Sequence, residues 1–288
     1  MSIDNRDDTH LICLDIDGTL VGFDGKISPS AERAVRTAQK NGHKVIINTG
    51  RVKGIIHPFL FEFGFDGIVA ATGAYIEYNN KVLLKDSMTK ENYTKILDCI
   101  NVDDCSIHVC THQGAIMRKV DIQRIDKILY GYEGENLDKD ATDGIFESLK
   151  PITFDDDIYG YFDKYKEIVV VNYIGCKKTI DQVNKEVAPE VDGLIGSWLE
   201  DNPYCAEITL SKYSKGTAIK FMCDYLNIPI ENTVSIGDTP NDIPMIKAAN
   251  TGIAMGNAYK NVKESADFIT DTVDNDGVYK ALKKCKLI

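Results

Sequence analysis

The sequence predicts an α/β fold in which a parallel-sheet core carries an inserted α+β domain. Near both ends of the chain, short apolar strands alternate with amphipathic helices, a pattern typical of a parallel sheet covered on both faces. From about Leu84 to Leu210, helices accompany pairs of strands, which favours an antiparallel sheet with a helical layer. The 288-residue chain is long enough for two domains, and the insert is long enough to be one of them.

The first core segment opens with a buried strand, Leu11–Leu14. Ser28 then predicts a helix cap, with Pro29 at the first helical position and Gly42 just past the helix end. The elements predicted next are strand Val45–Ile47, a helix over about 52–63 and strand Gly67–Ala71.

The remaining elements follow from the same patterns. In the insert, helices are expected at Lys90–Ile100, Ile122–Tyr132 and around Ile180–Val187, and strands at Ser106–Cys110, Ala115–Lys119, Ile168–Tyr173, Gly193–Trp198 and Cys205–Leu210. The last core segment is predicted to hold a helix with the apolar stripe Ala218, Phe221, Met222 and Tyr225, then strand Val234–Ile236, a helix through Ala248, strands Gly252–Met255 and Phe268–Ile269, and a final helix.

Composition restricts the possible partners. The chain has 33 basic and 44 acidic residues, a net charge of −11, which argues against nucleic-acid binding. No apolar stretch approaches the ~20 residues needed to cross a bilayer, and the polar N-terminus does not resemble a signal peptide. The eight cysteines form no C-x-x-C pair, so we expect free thiols in a cytoplasmic protein. The sequence does not predict an oligomeric state.

Polar residues that can carry chemistry follow the apolar core strands. Asp15 and Asp17 end the first strand, Thr49-Gly50-Arg51 follows the second, and Asp238 with Asp242 follows Val234–Ile236. In a parallel sheet the carboxyl ends of the strands meet at one edge, where ligands bind. We therefore expect these residues to lie close together.

An aspartate at this edge is a candidate nucleophile. Its carboxylate is ionised near neutral pH and can attack phosphorus to form an acyl phosphate. Asp17 could protonate the leaving oxygen and then accept a proton from the hydrolytic water, provided that neighbouring negative charge raises its pKa.

Several carboxylates beside a phosphate require cations. Mg²⁺ prefers carboxylate and phosphate oxygens, so we expect it between Asp15 and Asp238, with the backbone carbonyl of Asp17 as a further ligand. Lys215, just before a helix, is the expected second cation. Thr49 and the Gly50 backbone can donate hydrogen bonds to phosphate oxygens.

Other metal sites fit the sequence poorly. The Asp-x-Asp-Gly run is similar to a calcium loop, but Leu20 and Lys26 occupy positions where an EF-hand needs glycine and glutamate. The five histidines lack zinc-ligand spacing.

Taken in order, these motifs resemble those of the haloacid dehalogenase-like phosphatases, in the Cof-like branch with a type IIB cap. Asp15-Ile16-Asp17-Gly18-Thr19-Leu20 is similar to the family's first motif, Thr49-Gly50-Arg51 to the second, Lys215 to the third and Gly237–Asp242 to the fourth. The late loop Ala254–Ala258 also resembles this branch. The similarity spans the whole chain.

The resemblance implies a Rossmann-like core, 1–83 and 211–288, with a cap domain at 84–210 that sets specificity. It also implies Mg²⁺-dependent hydrolysis of small phosphomonoesters through an aspartyl-phosphate. We expect sugar phosphates as substrates, with pyridoxal phosphate and flavin mononucleotide as the alternatives. The implied roles are nucleophile for Asp15, acid/base for Asp17, phosphate binding for Thr49, Gly50, Lys215 and Asn241, metal binding for Asp15, Asp17 and Asp238, and support for Asp242.

One position departs from the family pattern, and two alternatives remain open. Thr72-Gly73 stands where the branch often has Asn-Gly, which affects contacts near the substrate. A phosphomutase would need extra cations in the cap; Arg118, Lys119 and Arg124 are available, although solvated surface charge is the simpler interpretation. The second alternative is a phosphosugar sensor that binds its ligand without turnover. The presence of every catalytic residue of the family pattern argues against it.

Overall fold

The computed structural model of this protein describes residues 9–122, 124, 151–187, 189–194 and 202–288. The chain divides into two compact units. The first comprises the N-terminal part to Gly50, Phe59–Leu84 and Tyr213–Ile288, and the second comprises Arg51–Pro58 and Lys85–Lys212. Among the described residues, no helix combines the length and the apolar character that crossing a bilayer requires.

The N-terminal elements agree with the predicted strand–helix alternation except near Pro58. They are β1 (Leu11–Leu14), α1 (Pro29–Lys40), β2 (Lys44–Asn48), α2 (Pro58–Phe63), β3 (Gly67–Ala70), β4 (Tyr75–Tyr78) and β5 (Lys81–Lys85). The start of α1 is confirmed, because the Ser28 side chain accepts a hydrogen bond from the Ala31 N–H. The continuous helix expected over 52–63 is wrong: a 3-10 turn at Lys53–Ile55 precedes α2, and Pro58 cannot continue a helix from its N-terminal side.

The second unit contains α3 (Lys90–Ile100), β6 (Ser106–Thr111), β7 (Gly114–Met117), β8 (Ile152–Phe154), α4 (Tyr161–Tyr165), β9 (Ile168–Ile174), α5 (Ile180–Val187), β10 (Val191–Leu194) and β11 (Cys205–Leu210). Its six strands form one sheet in the order β10-β11-β9-β6-β7-β8. The pairs are antiparallel apart from β7 with β8, which is parallel. Most of the helix predicted at Ile122–Tyr132, and the end of the strand predicted at Gly193–Trp198, lie outside the described residues.

The C-terminal elements complete the first unit. They are α6 (Lys215–Leu226), β12 (Thr233–Gly237), α7 (Ile243–Ala248), β13 (Thr251–Ala254), α8 (Lys260–Ser265), β14 (Phe268–Ile269) and α9 (Gly277–Lys284). Eight strands form a sheet in the order β14-β13-β12-β1-β2-β3-β4-β5. Strands β14 to β3 are parallel neighbours, so the predicted α/β class is confirmed.

The end of this sheet differs from the prediction, because β4 runs antiparallel to β3. Asn79 and Asn80, with φ of 48° and 61°, form the two-residue connection from β4 to β5. Asparagine adopts left-handed backbone more readily than most residues, so the Asn79-Asn80 pair was the available sequence signal for this hairpin.

The core of the first unit brings together the strand ends that carry the predicted site residues. Strand β1 is buried along its whole length and lies between β12 and β2, parallel to both. One cluster joins Leu11, Ile46 and Val69 of the sheet to Ile219 and Met222 of α6. Burial of each such side chain contributes roughly 1.5–3 kcal/mol, so α6 is held firmly against the sheet. The carboxyl ends of β12, β1 and β2 therefore share one edge.

A strained turn follows β3 at the same edge. Ala71 and Thr72 have φ of 49° and 56°, and both are buried. Left-handed backbone is unfavourable for a β-branched residue, whereas asparagine adopts it more readily. This conformation gives a physical reason for the Asn-Gly pair that often occurs here in proteins resembling this one.

We expect Thr72→Asn to stabilise the fold, because asparagine has a similar volume and tolerates the observed backbone. Relief of the strain should contribute about 1 kcal/mol and raise the melting temperature by roughly 2 °C. Thermal unfolding should show this rise. Thr37→Asn, on the exposed surface of α1, is the control and should not raise it. An unchanged or lower melting temperature for Thr72→Asn would contradict the strain.

Candidate active site

Three buried carboxylates meet at the edge formed by β1 and β12. Oxygen atoms of Asp15, Asp238 and Asp242 all lie within 4.8 Å of one another. Their residues are 5%, 6% and 0% exposed, respectively. Asp15 directly follows β1 and Asp238 directly follows β12, while Asp242 ends the turn Pro240–Asp242. The topology thus brings Asp15 to two acidic residues that lie more than 200 positions later in the sequence.

Lys215 is the cation of this cluster. Its Nζ donates hydrogen bonds to Asp15 Oδ1 at 2.7 Å, Asp242 Oδ1 at 2.5 Å and Asn241 Oδ1 at 3.0 Å. The Lys215 side chain is only 1% exposed, because it is the first residue of α6, which packs on the sheet. Ser214 caps that helix through the Thr217 N–H. If all three carboxylates are ionised, the one ammonium group leaves two negative charges uncompensated.

The excess negative charge changes the protonation of the cluster. Burial is the largest cause that raises the pKa of Asp15 to about 7, and the charge of Asp242 adds to it, whereas Lys215 opposes it. Burial likewise raises the pKa of Asp238 to about 8, followed by the charges of Asp15 and Asp242. Burial alone would lower the pKa of Lys215, but Asp15 and Asp242 outweigh it and raise that pKa. A further cation would favour the ionised carboxylates.

The carboxylates fit a small divalent cation. Their oxygens are hard ligands of the kind that Mg²⁺ prefers, and a dication would balance the two uncompensated charges. The three residues are not equivalent, however. Asp242 Oδ2 accepts hydrogen bonds from the N–H groups of Asp238 and Thr239, both at 2.9 Å, and its Oδ1 accepts from Lys215. Asp242 is therefore committed to orienting its neighbours, which leaves Asp15 and Asp238 as the better ligands.

The other predicted residues lie around this cluster or at its edge. Asp17 is exposed, two residues after Asp15, and its side chain is not part of the carboxylate triad. Thr49 is buried after β2, and its N–H donates to Val69 O at 2.9 Å, so this backbone amide is already used. Gly50 is half-buried. Asn241 contacts Lys215, and its Oδ1 also accepts from the Thr239 hydroxyl at 2.7 Å.

Two residues without a predicted role hold the cluster in place. The Thr19 hydroxyl donates to Asp238 Oδ1 at 2.8 Å. Asn48 Nδ2 donates to the Lys215 carbonyl at 2.9 Å, which joins β2 to the first turn of α6. Asn48 is the polar last residue of an otherwise apolar strand, and this pattern could have marked it as a residue of the site. Nothing local in the sequence indicates the partner of Thr19.

Gly18 is required by the close approach of Asp238. It has φ of +77°, and a Cβ atom there would lie 2.2 Å from Asp238 Oδ2. No side chain fits at that distance, so glycine is needed both for the backbone conformation and for the space.

Comparison with known proteins agrees with this geometry. A family model described as haloacid dehalogenase-like hydrolase matches residues 12–282. The chain therefore belongs to the haloacid dehalogenase-like hydrolases. The resemblance to the Cof-like branch is confirmed, and the chain is a phosphoric monoester hydrolase.

Individual relatives cover nearly the full chain. The putative phosphatase YkrA of Bacillus subtilis is 29% identical over 98% of this chain and 99% of its own. The 5-amino-6-(5-phospho-D-ribitylamino)uracil phosphatase YcsE of Bacillus subtilis is 27% identical over 98% of both chains. The solved structure of the subclass IIB sugar phosphatase BT4131 is 26% identical, with a TM-score of 0.77, and the match covers 97% of this chain and 100% of that chain.

The raised pKa values of Asp15 and Asp238 predict a stability that depends on pH and metal. Because the native carboxyls hold protons that the unfolded chain has already released above its ordinary carboxyl pKa of about 4, the metal-free protein should lose stability as the pH rises from about 4 to about 8 and should lose little more above that. Mg²⁺ should raise the melting temperature more at the upper pH, where the carboxylates are ionised. Thermal unfolding in a chelator and in excess Mg²⁺ measures both effects.

Asp238→Asn is the matched variant for this prediction, since it removes one of the titrating groups without changing side-chain size. It should reduce both the pH dependence and the stabilisation by Mg²⁺. If the variant and the wild-type protein respond equally to Mg²⁺, the ion binds elsewhere.

Proposed function

We propose that this phosphatase hydrolyses small phosphomonoesters, with sugar phosphates as the substrate class, through a phosphoryl group carried on Asp15. The observation that carries the proposal is the buried Asp15 carboxylate within an acidic cluster that has one ammonium partner, Lys215. The proposed ligands of a resident Mg²⁺ are the Asp15 and Asp238 carboxylates and the Asp17 backbone carbonyl. When bound, the ion would neutralise negative charge between these carboxylates and the substrate phosphate.

The first step is attack of an Asp15 oxygen on phosphorus. The new oxygen–phosphorus bond forms as the bond to the leaving oxygen breaks, and Asp17 gives its proton to that oxygen. Asp17 is exposed and can reach solvent and a leaving group, whereas Asp15 is buried. Lys215 is held by Asp15, Asn241 and Asp242, so its position is fixed before substrate binds. Thr49 and Gly50 are proposed donors to the phosphate oxygens.

The second step returns the enzyme to its starting state. Asp17, now ionised, takes a proton from water as that water attacks phosphorus. The bond to Asp15 breaks, inorganic phosphate leaves, and Asp17 is again protonated for the next cycle. The two carboxyl groups thus have different roles: Asp15 must be ionised to attack, which a bound cation would favour, and Asp17 must carry the proton that the leaving oxygen receives.

The substrate class rests on the relatives. One solved neighbour is named as a sugar phosphatase, and one relative as a phosphatase of a ribityl-aminouracil phosphate. Both names describe small phosphomonoesters. The unit at Lys85–Lys212 is proposed to be the cap domain that the sequence predicted.

The two arginines that a phosphomutase could have used to bind a second phosphate, Arg118 and Arg124, already bond to groups within the second unit. Arg118 is buried rather than solvated, and its Nε and Nη2 donate to Asp121 at 2.7 and 2.8 Å. Its Nη2 also donates to Val102 O at 2.7 Å. Arg124 Nη1 donates to the carbonyls of Val102 and Cys105. Both arginines therefore stabilise the second unit, and no specific observation favours the mutase.

A panel of phosphorylated metabolites, assayed for phosphate release with and without Mg²⁺, tests the proposal. Asp15→Asn should reduce turnover on the order of 10³-fold or more, because the nucleophile is lost. Asp24→Asn makes the same change on a nearby exposed loop and is the matched control, expected to retain activity. Isomer formation without phosphate release would indicate a mutase, and binding without any turnover would indicate a sensor.

The role of Asp17 predicts a dependence on the leaving group. A sugar alkoxide needs the proton of Asp17, whereas 4-nitrophenolate leaves without one. In Asp17→Asn, kcat/KM should fall by roughly 10²-fold or more for a sugar phosphate and by much less for 4-nitrophenyl phosphate. Because kcat/KM reports the first step, equal losses for both substrates would contradict a general-acid role for Asp17.

A further inference from the structure

The loop after β13 contacts the catalytic edge through both backbone and side chain. Met255 N–H donates to Gly237 O, and Tyr259 N–H donates to Asp238 O, each at 3.0 Å. The loop is thus hydrogen-bonded to the end of β12 on either side of Asn257. This arrangement brings the Asn257 side chain to Asp238.

Asn257 joins three segments of the first unit. Its Nδ2 donates to Gly18 O at 2.8 Å and approaches Asp238 Oδ2 at 3.5 Å, while its Oδ1 accepts from Val273 N–H at 2.9 Å. The bond to Val273 fixes the amide plane, so its N–H groups face Gly18 and Asp238.

We infer that Asn257 is a positioning residue for Asp238 and for the turn after Asp15, and that it sets the affinity of this site for Mg²⁺. The inference rests on the proposed function, because it takes Asp238 as a metal ligand. Asp238 has one oxygen held by the Thr19 hydroxyl and the other facing the Asn257 amide. These contacts limit rotation of the carboxylate. Gly18 O, held by Asn257, adjoins the peptide that carries the Asp17 carbonyl.

When a metal ligand is already held in position before the ion binds, binding costs less conformational entropy. Loss of a hydrogen-bond partner that orients a metal ligand typically costs 10–100-fold in metal affinity. A residue with this role should change the concentration of Mg²⁺ that is needed more than it changes the chemical step. This separates positioning from a direct part in phosphoryl transfer.

The test is calorimetric titration of the metal-free, full-length protein with MgCl₂. Asn257→Ala should weaken Mg²⁺ binding about tenfold. The concentration of Mg²⁺ for half-maximal phosphatase activity should rise by a similar factor, and saturating Mg²⁺ should restore kcat to near the wild-type value. Asn275→Ala is the matched control and should bind Mg²⁺ as the wild-type protein does, because its Nδ2 bonds to Thr272 on the exposed surface instead.

Asn257→Ser is the second variant, in case the alanine substitution prevents folding; it also removes the amide. Mg²⁺ affinity within about twofold of the wild-type value, together with a lower melting temperature, would show that Asn257 is merely structural and overturn the inference. If the wild-type protein itself neither binds Mg²⁺ nor releases phosphate, the proposed function fails as well. The two failures are therefore distinguishable.

Discussion

The contact of one buried ammonium group with buried carboxylates is the interaction on which the rest of this site depends. Lys215 is bonded to Asp15 and Asp242, and Asp238 lies within the same cluster. Removing such charges from water costs several kcal/mol per ion unless partners compensate for it. Lys215 compensates only part of the charge. This uncompensated charge supports the proposed binding of a metal ion, which would let a phosphate approach the carboxylates.

The order of the parallel sheet makes this cluster possible. Because β1 lies between β12 and β2, the residues that follow these strands share one edge. Helix α6 packs against the same sheet and begins with Lys215, and Asn48 joins that helix start to β2. Asp242 bonds the backbone at Asp238, so the turn that carries it is fixed too. Packing of apolar side chains elsewhere thus sets the distances between charged atoms at the site.

The fold class, and the expectation that the strand ends lie close together, can be predicted from the sequence. Both depend on a local pattern, short apolar runs that end in polar residues. The sequence does not predict the contact of Thr19 with Asp238 or that of Asn257 with Gly18, because each joins residues more than 200 positions apart. The burial of Arg118 was missed for a different reason: its partner Asp121 is only three positions away, but a nearby pair of opposite charges is typical of an exposed surface as well. The helix expected over 52–63 failed because apolar periodicity was given more weight than Pro58. The catalytic roles of the site residues stay predictions.

The most direct test of the central claim is to look for the phosphoryl group on Asp15. Enzyme turning over a sugar phosphate would be quenched rapidly in acid and digested, and the peptide that contains Asp15 would be examined by mass spectrometry. We expect a mass gain of one phosphoryl group at Asp15, lost on treatment with hydroxylamine as an acyl phosphate would be. Full turnover with Asp15 unmodified and with inverted configuration at phosphorus would show direct attack by water, and would contradict it.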